Sequence, residues 1–150
     1  MTPSDHVRAL ETLLARIRRS GGVLLNVDMW DRWGAANASD EEKARFTAEA
    51  LAAQRDRGEA EQGLEALVAR LRAEAPDAIV AWADAHDAFL AAFIAGSPEG
   101  SHASTARFVA EQERAAWAEV RSGKRAWVAE NVYYVTIDPG RYRALFGVDP

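Results

Sequence analysis

The sequence predicts a mainly α-helical, single-domain bundle of five to six helices over residues 1–150, with one short C-terminal β-strand. Three observations predict it. Apolar residues recur every three and four positions along most of the chain. Cap residues and glycine or proline stops punctuate these stripes at helix-length intervals. Only one stretch, Val132-Tyr-Tyr-Val-Thr-Ile137, has the β-branched and aromatic density of a strand.

Ser4 is a good N-cap for the first helix, with Asp5 in its first turn. Val7, Leu10, Leu13, Leu14 and Ile17 form its apolar face, and Arg18 and Arg19 precede an expected stop at Gly21–Gly22. Val23 to Trp33 reads two ways. Val23, Leu24, Leu25 and Val27 suit a short strand, whereas Leu24, Val27, Trp30 and Trp33, spaced by three, make a helical stripe; a short helix including Met29 to Trp33 is the preferred reading. Ser39 to Glu42 is a capping box that opens a helix through Phe46, Ala50, Leu51 and Ala53, ending or bending near Gly58. Residues 59–75 continue with Leu64, Leu67, Val68 and Leu71 inward, as the same helix bent or as a second one.

Pro76 to Ala95 is the core helix. Pro76 and Asp77 suit its first turn, and Ile79, Trp82, Ala83, His86, Leu90, Phe93 and Ile94 form its stripe. Gly96, Ser97 and Pro98 close it, and Gly96 to Ser104, which includes His102, reads as a loop. The next helix runs from Thr105 to Arg121 with Phe108, Val109, Ala116, Trp117 and Val120 apolar. After the 132–137 strand, Asp138-Pro139 opens a short helix whose Tyr142, Leu145 and Phe146 pack back, ended by Gly147. A lone strand leaves its backbone unsatisfied. The strand therefore pairs with 23–27, lies against helices, or pairs with another molecule.

The chain contains no cysteine, which excludes disulfides, thiolate nucleophiles and Cys-ligated metals. No G-x-S-x-G elbow, phosphate loop or H-x-x-x-H pair occurs, so no metal and no cofactor is expected. The net charge of −5 argues against nucleic-acid binding. No apolar run approaches a membrane span, and the arginines near the N-terminus lead into no signal-type apolar region, so a cytoplasmic protein without membrane contact is expected.

Charge is segregated. Between Arg72 and Arg107 there is no Lys or Arg, while Glu74, Asp77, Asp84, Asp87 and Glu99 fall there; Arg121, Lys124, Arg125, Arg141 and Arg143 lie beyond. The basic part packs over the acidic helix, both are solvated faces, or an acidic surface meets a basic partner. Trp30, Trp33, Trp82, Trp117 and Trp127 are more tryptophan than a small core buries fully, and tryptophan is enriched at binding hot spots. The favoured function is a small acidic protein-interaction module, an inhibitor of the immunity or antitoxin type or an accessory subunit. It would bind another protein, or itself as a homodimer, through Asp84, Asp87, Trp30, Trp33, Trp127 and Tyr133. The alternative is a small-molecule-binding domain or enzyme with His86 and Tyr134 in an interhelical pocket. His86 falls on the apolar stripe, and any carboxylate partner must reach it from another element, because Asp84 and Asp87 point elsewhere.

Overall fold

The computed structural model describes residues 4–97, 101–129 and 132–150, less the side chains of residues 32, 33, 35, 101–104, 132 and 133. The described residues form six α-helices and no strand: α1 (Asp5–Trp33), α2 (Asp40–Glu74), α3 (Pro76–Gly96), α4 (Ser101–Arg121), α5 (Val132–Ile137) and α6 (Pro139–Phe146), with a 3₁₀ turn at Ala35–Asn37.

The caps sit where side-chain chemistry puts them. Ser4 Oγ accepts from the Val7 amide at 3.1 Å, and Ser39 Oγ accepts from the Glu42 amide at 3.1 Å. Pro76 and Pro139 occupy first helical turns, and Asp138 Oδ1 accepts from the Arg141 amide at 3.1 Å. Gly147 ends α6 in the left-handed conformation, φ 69°, with its amide bonded to the Arg143 carbonyl.

Three sequence expectations of secondary structure are corrected, and two open readings resolve. The first helix does not stop at Gly21–Gly22, and the two readings of 23–33 resolve to helix: α1 runs unbroken for 29 residues. Helix propagation through two glycines costs about 1 kcal/mol each against alanine. Packing on α2 offsets that cost: Arg16 and Ser20 both reach the Asp56 carboxylate, at 2.6 and 2.9 Å, Val27 is buried, and Trp30 stacks on Phe46 at 4.1 Å. α2 passes Gly58 as a single helix of 35 residues, which settles the question of one helix or two. The second correction is α4, which begins at Ser101 instead of about Thr105; the loop expected over 96–104 is shorter, with residues 98–100 outside the described ones.

The third is the strand. Val132–Ile137 is helical, and its proposed partner at 23–27 lies inside α1. With no neighbouring edge to bond to, the backbone satisfies itself locally in a helical turn, which overrides the β-preference of valine and tyrosine. Tyr134 and Val135 are buried in that turn.

α3 is the centre of the bundle, touching α1, α2, α4 and α6. Its Ile79, Trp82, Ala83, His86, Phe89 and Leu90 are buried. Contrary to the sequence reading that no apolar run approaches a membrane span, α3 is long and apolar enough to cross one, a property that buried core helices share. The core cluster takes Val7, Leu10, Leu14 and Ile17 from α1 and Ala60, Leu64, Val68 and Leu71 from α2. Beyond these residues the two helices run on together. At roughly 1.5 Å per residue, α1 and α2 span about 44 and 52 Å, against about 32 Å for α3 and α4. Residues 23–53 thus form a two-helix arm whose buried apolar positions, Val27 and Ala53, lie outside the core cluster.

Candidate functional site

A buried polar cluster lies inside the core. Glu11, fully buried on α1, receives four donors. Its Oε1 accepts from Trp82 Nε1 at 3.0 Å and lies 2.6 Å from His86 Nε2. Its Oε2 accepts from the Tyr142 hydroxyl at 2.6 Å and from Arg18 Nη2 at 3.1 Å. Arg18 Nη1 also donates to the Tyr142 oxygen at 3.2 Å. An ionised carboxylate offers about four lone-pair sites and only accepts, so all of its capacity is used and His86 Nε2 carries a hydrogen. The cluster joins α1, α3 and α6. α4 closes it by stacking Trp117 flat on the imidazole, ring centroids 3.8 Å apart, and Phe146 covers the other side.

The electrostatics follow from these contacts. Burial by itself raises the Glu11 pKa, but the His86 charge and hydrogen bond, then Arg18 and the Tyr142 hydroxyl, outweigh it and hold it at about 2. Tyr142 is pushed well above the usual tyrosine range, first by burial and then by the adjacent Glu11 charge. Charges that attract within a desolvated cluster are expensive to separate. With Glu11 and His86 both at 0% exposure, the cluster fastens α1, α3 and α6 together from inside.

This bears on each residue singled out from the sequence. His86 is in the core, and its carboxylate partner does come from another element, Glu11 of α1. Tyr134 packs on Phe93 and donates to the Ala106 carbonyl at 3.0 Å. Asp87 forms a two-pronged contact with Arg114, at 2.9 and 3.3 Å, and Asp84 meets Arg121 at 2.9 Å. The acidic face of α3 is therefore met by arginines of α4. Trp30 stacks in the arm, Trp127 packs half-buried against the core, and the side chains of Trp33, Tyr133 and His102 lie outside the described residues. Among the described residues no group of three or more His, Asp or Glu could hold a metal ion.

The sequence reading missed Glu11 and Arg18. The signal was present: Val7, Glu11, Leu14 and Arg18 are spaced four, three and four, which places two opposite charges on an inward helical stripe.

Arg18 connects this cluster to an open cleft of about 450 Å³. The α1 wall is Leu14, Ile17, Arg18, Gly21, Gly22 and Leu25; Arg57 comes from α2, Val109 and Glu113 from α4, and Ala129 closes the end. Across the arm, a shallower groove of about 390 Å³ runs between α1 and α2 beside Val23, Ala52 and Asp56. No family model matches the chain, and neither a curated protein nor a solved structure shows significant similarity to it.

Proposed function

We propose that this protein is an interaction module that docks a partner protein on the α1–α2 arm. The observation that carries this is the arm's exposure of large apolar side chains: Val23, Met29 and Leu51 are 39%, 51% and 57% exposed. Single exposed apolar residues are ordinary. Several on a thin projection outside the core, with a groove alongside Val23, make a surface that another helix can cover.

The arm's charge narrows the partner. Residues 23–53 carry Asp28, Asp31, Asp40, Glu41, Glu42 and Glu49 against Arg32, Lys43 and Arg45. A partner presenting an amphipathic helix with basic flanks complements both features. Asp84 and Asp87 already meet Arg121 and Arg114, so the proposal does not rest on them.

Native mass spectrometry of the untagged protein from its own cells tests the reading. A second polypeptide at fixed stoichiometry is expected with the natural chain and absent from a Met29→Asp/Leu51→Asp double variant whose thermal midpoint is unchanged. A complex that survives the double substitution contradicts docking on the arm.

A further inference from the structure

We propose that the groove beside Val23 is an isologous dimer interface, occupied by the same groove of a second copy of this chain running antiparallel. The inference rests on the arm being a docking surface, and it concerns a face of the arm that Met29 and Leu51 do not line. The groove, about 390 Å³, is walled by Arg19, Ser20 and Val23 of α1 and by Glu49, Ala52, Ala53 and Asp56 of α2. Among the described residues none of α3 or α4 lines it, whereas α4 supplies Val109 and Glu113 to the larger cleft. It therefore lies on the outer face of the α1–α2 pair, where a copy can lie flat without meeting the rest of the bundle.

The charges in the groove fix the occupant. Arg19 and Glu49 are exposed, and neither makes a hydrogen bond or ion pair among the described residues. Asp56, the other carboxylate of the groove, already accepts from Arg16 and Ser20 at 2.6 and 2.9 Å. The two unengaged charges sit symmetrically about Val23. Ser20 bonded to Asp56 and Trp30 stacked on Phe46 set the helices' relative levels, so Val23 stands level with Ala53 and Val27 with Glu49. At roughly 1.5 Å of rise per residue, Arg19 lies about 6 Å from the Val23 level toward the bundle, and Glu49 about 6 Å from it toward the tip.

A two-fold axis across the arm at Val23 exchanges these levels. Arg19 of each copy then comes level with Glu49 of the other, twice per dimer. An isologous interface requires this reciprocity; a foreign helix would need neither the spacing nor the symmetry. A parallel copy would instead set the acidic tips against each other, with Asp28, Asp31, Asp40, Glu41 and Glu42 on both sides. Val23 and the exposed Ala52 supply the apolar contact. The charge pairs, at a solvated rim, set register more than affinity.

Sedimentation equilibrium of the purified full chain tests this. The natural chain should associate reversibly to a dimer. Arg19→Glu and Glu49→Arg each set like charges against one another twice, and each should weaken the dimer at least about tenfold. An equimolar mixture of the two variants should dimerise like the natural chain, because every pair is again opposite in sign; a misfolded variant would not be rescued in this way. The proposal is overturned by a natural chain that stays monomeric, which would leave the groove to a different polypeptide, by single variants that dimerise like it, or by a mixture that stays monomeric. No other protein enters this measurement, so its failure leaves docking across Met29 and Leu51 untouched.

Discussion

Replacing Glu11 with leucine would leave four donors without their acceptor: Trp82 Nε1, His86 Nε2, the Tyr142 hydroxyl and the Arg18 guanidinium. Removing one partner of a buried ion pair costs about 3–5 kcal/mol, and a loss of that order is expected in urea unfolding, as a lower midpoint with an unchanged slope. The same residue sets the acid limb of stability. Its folded pKa of about 2 lies below the unfolded value of 4.5, so its contribution is complete above pH 4.5 and is lost as pH falls toward 2. That difference is worth about 3 kcal/mol, and Glu11→Gln should flatten the fall when unfolding is followed against pH. Tyr142 acts on the alkaline side. Its pKa is raised in the fold, so its contribution is complete below pH 10 and declines above it; Tyr142→Phe should remove that decline. At this scale the apolar half of the core was legible from the sequence, because the stripe through Ile79, Trp82, His86 and Leu90 admits one inward face. The polar half was not, because Glu11 and Arg18 are typical surface residue types, and only their spacing places them inside.

Among the elements, α1 is where local signals and tertiary packing conflict most. Gly22→Ala should stabilise the protein by up to about 1 kcal/mol, read as a higher thermal midpoint, because the added methyl meets nothing within 4 Å. A midpoint that falls would show that the glycine is needed for the fold itself. The sequence reading ended the helix at this pair because glycine after arginine is a good C-terminal signal. What carries the helix onward is non-local, namely Arg16 and Ser20 on Asp56 and Trp30 on Phe46, contacts spanning 40, 36 and 16 positions. α5 failed for the complementary reason. Val132-Tyr-Tyr-Val-Thr-Ile137 has strand propensity, yet a strand needs an edge, and 23–27 was already helical. Caps, by contrast, are local, and Ser4, Ser39, Pro76, Asp138 and Gly147 were all legible in place.

For the whole molecule, the division between bundle and arm predicts uneven local stability. The arm has few buried apolar contacts, so amides of residues 24–52 should exchange with solvent through openings of lower free energy than those of residues 60–71 and 79–90. Hydrogen exchange followed by mass spectrometry reads this directly, and uniform protection along α1 and α2 would contradict it. The charge segregation was legible as a fact but not in its consequence. Asp84 and Asp87 each meet an arginine of α4, Arg121 and Arg114, in pairs that stay about half exposed. The arm itself was invisible to the sequence reading once α1 had been cut at Gly21–Gly22.

Photo-crosslinking in the producing cells addresses docking on the arm most directly. A photoreactive residue is placed at position 29 or 51 on the arm, and at 84 or 87 on the α3 face for comparison. The account predicts a discrete adduct of one defined mass from positions 29 and 51 and none from 84 and 87. Adducts from the α3 positions alone, or none from the arm, would contradict it.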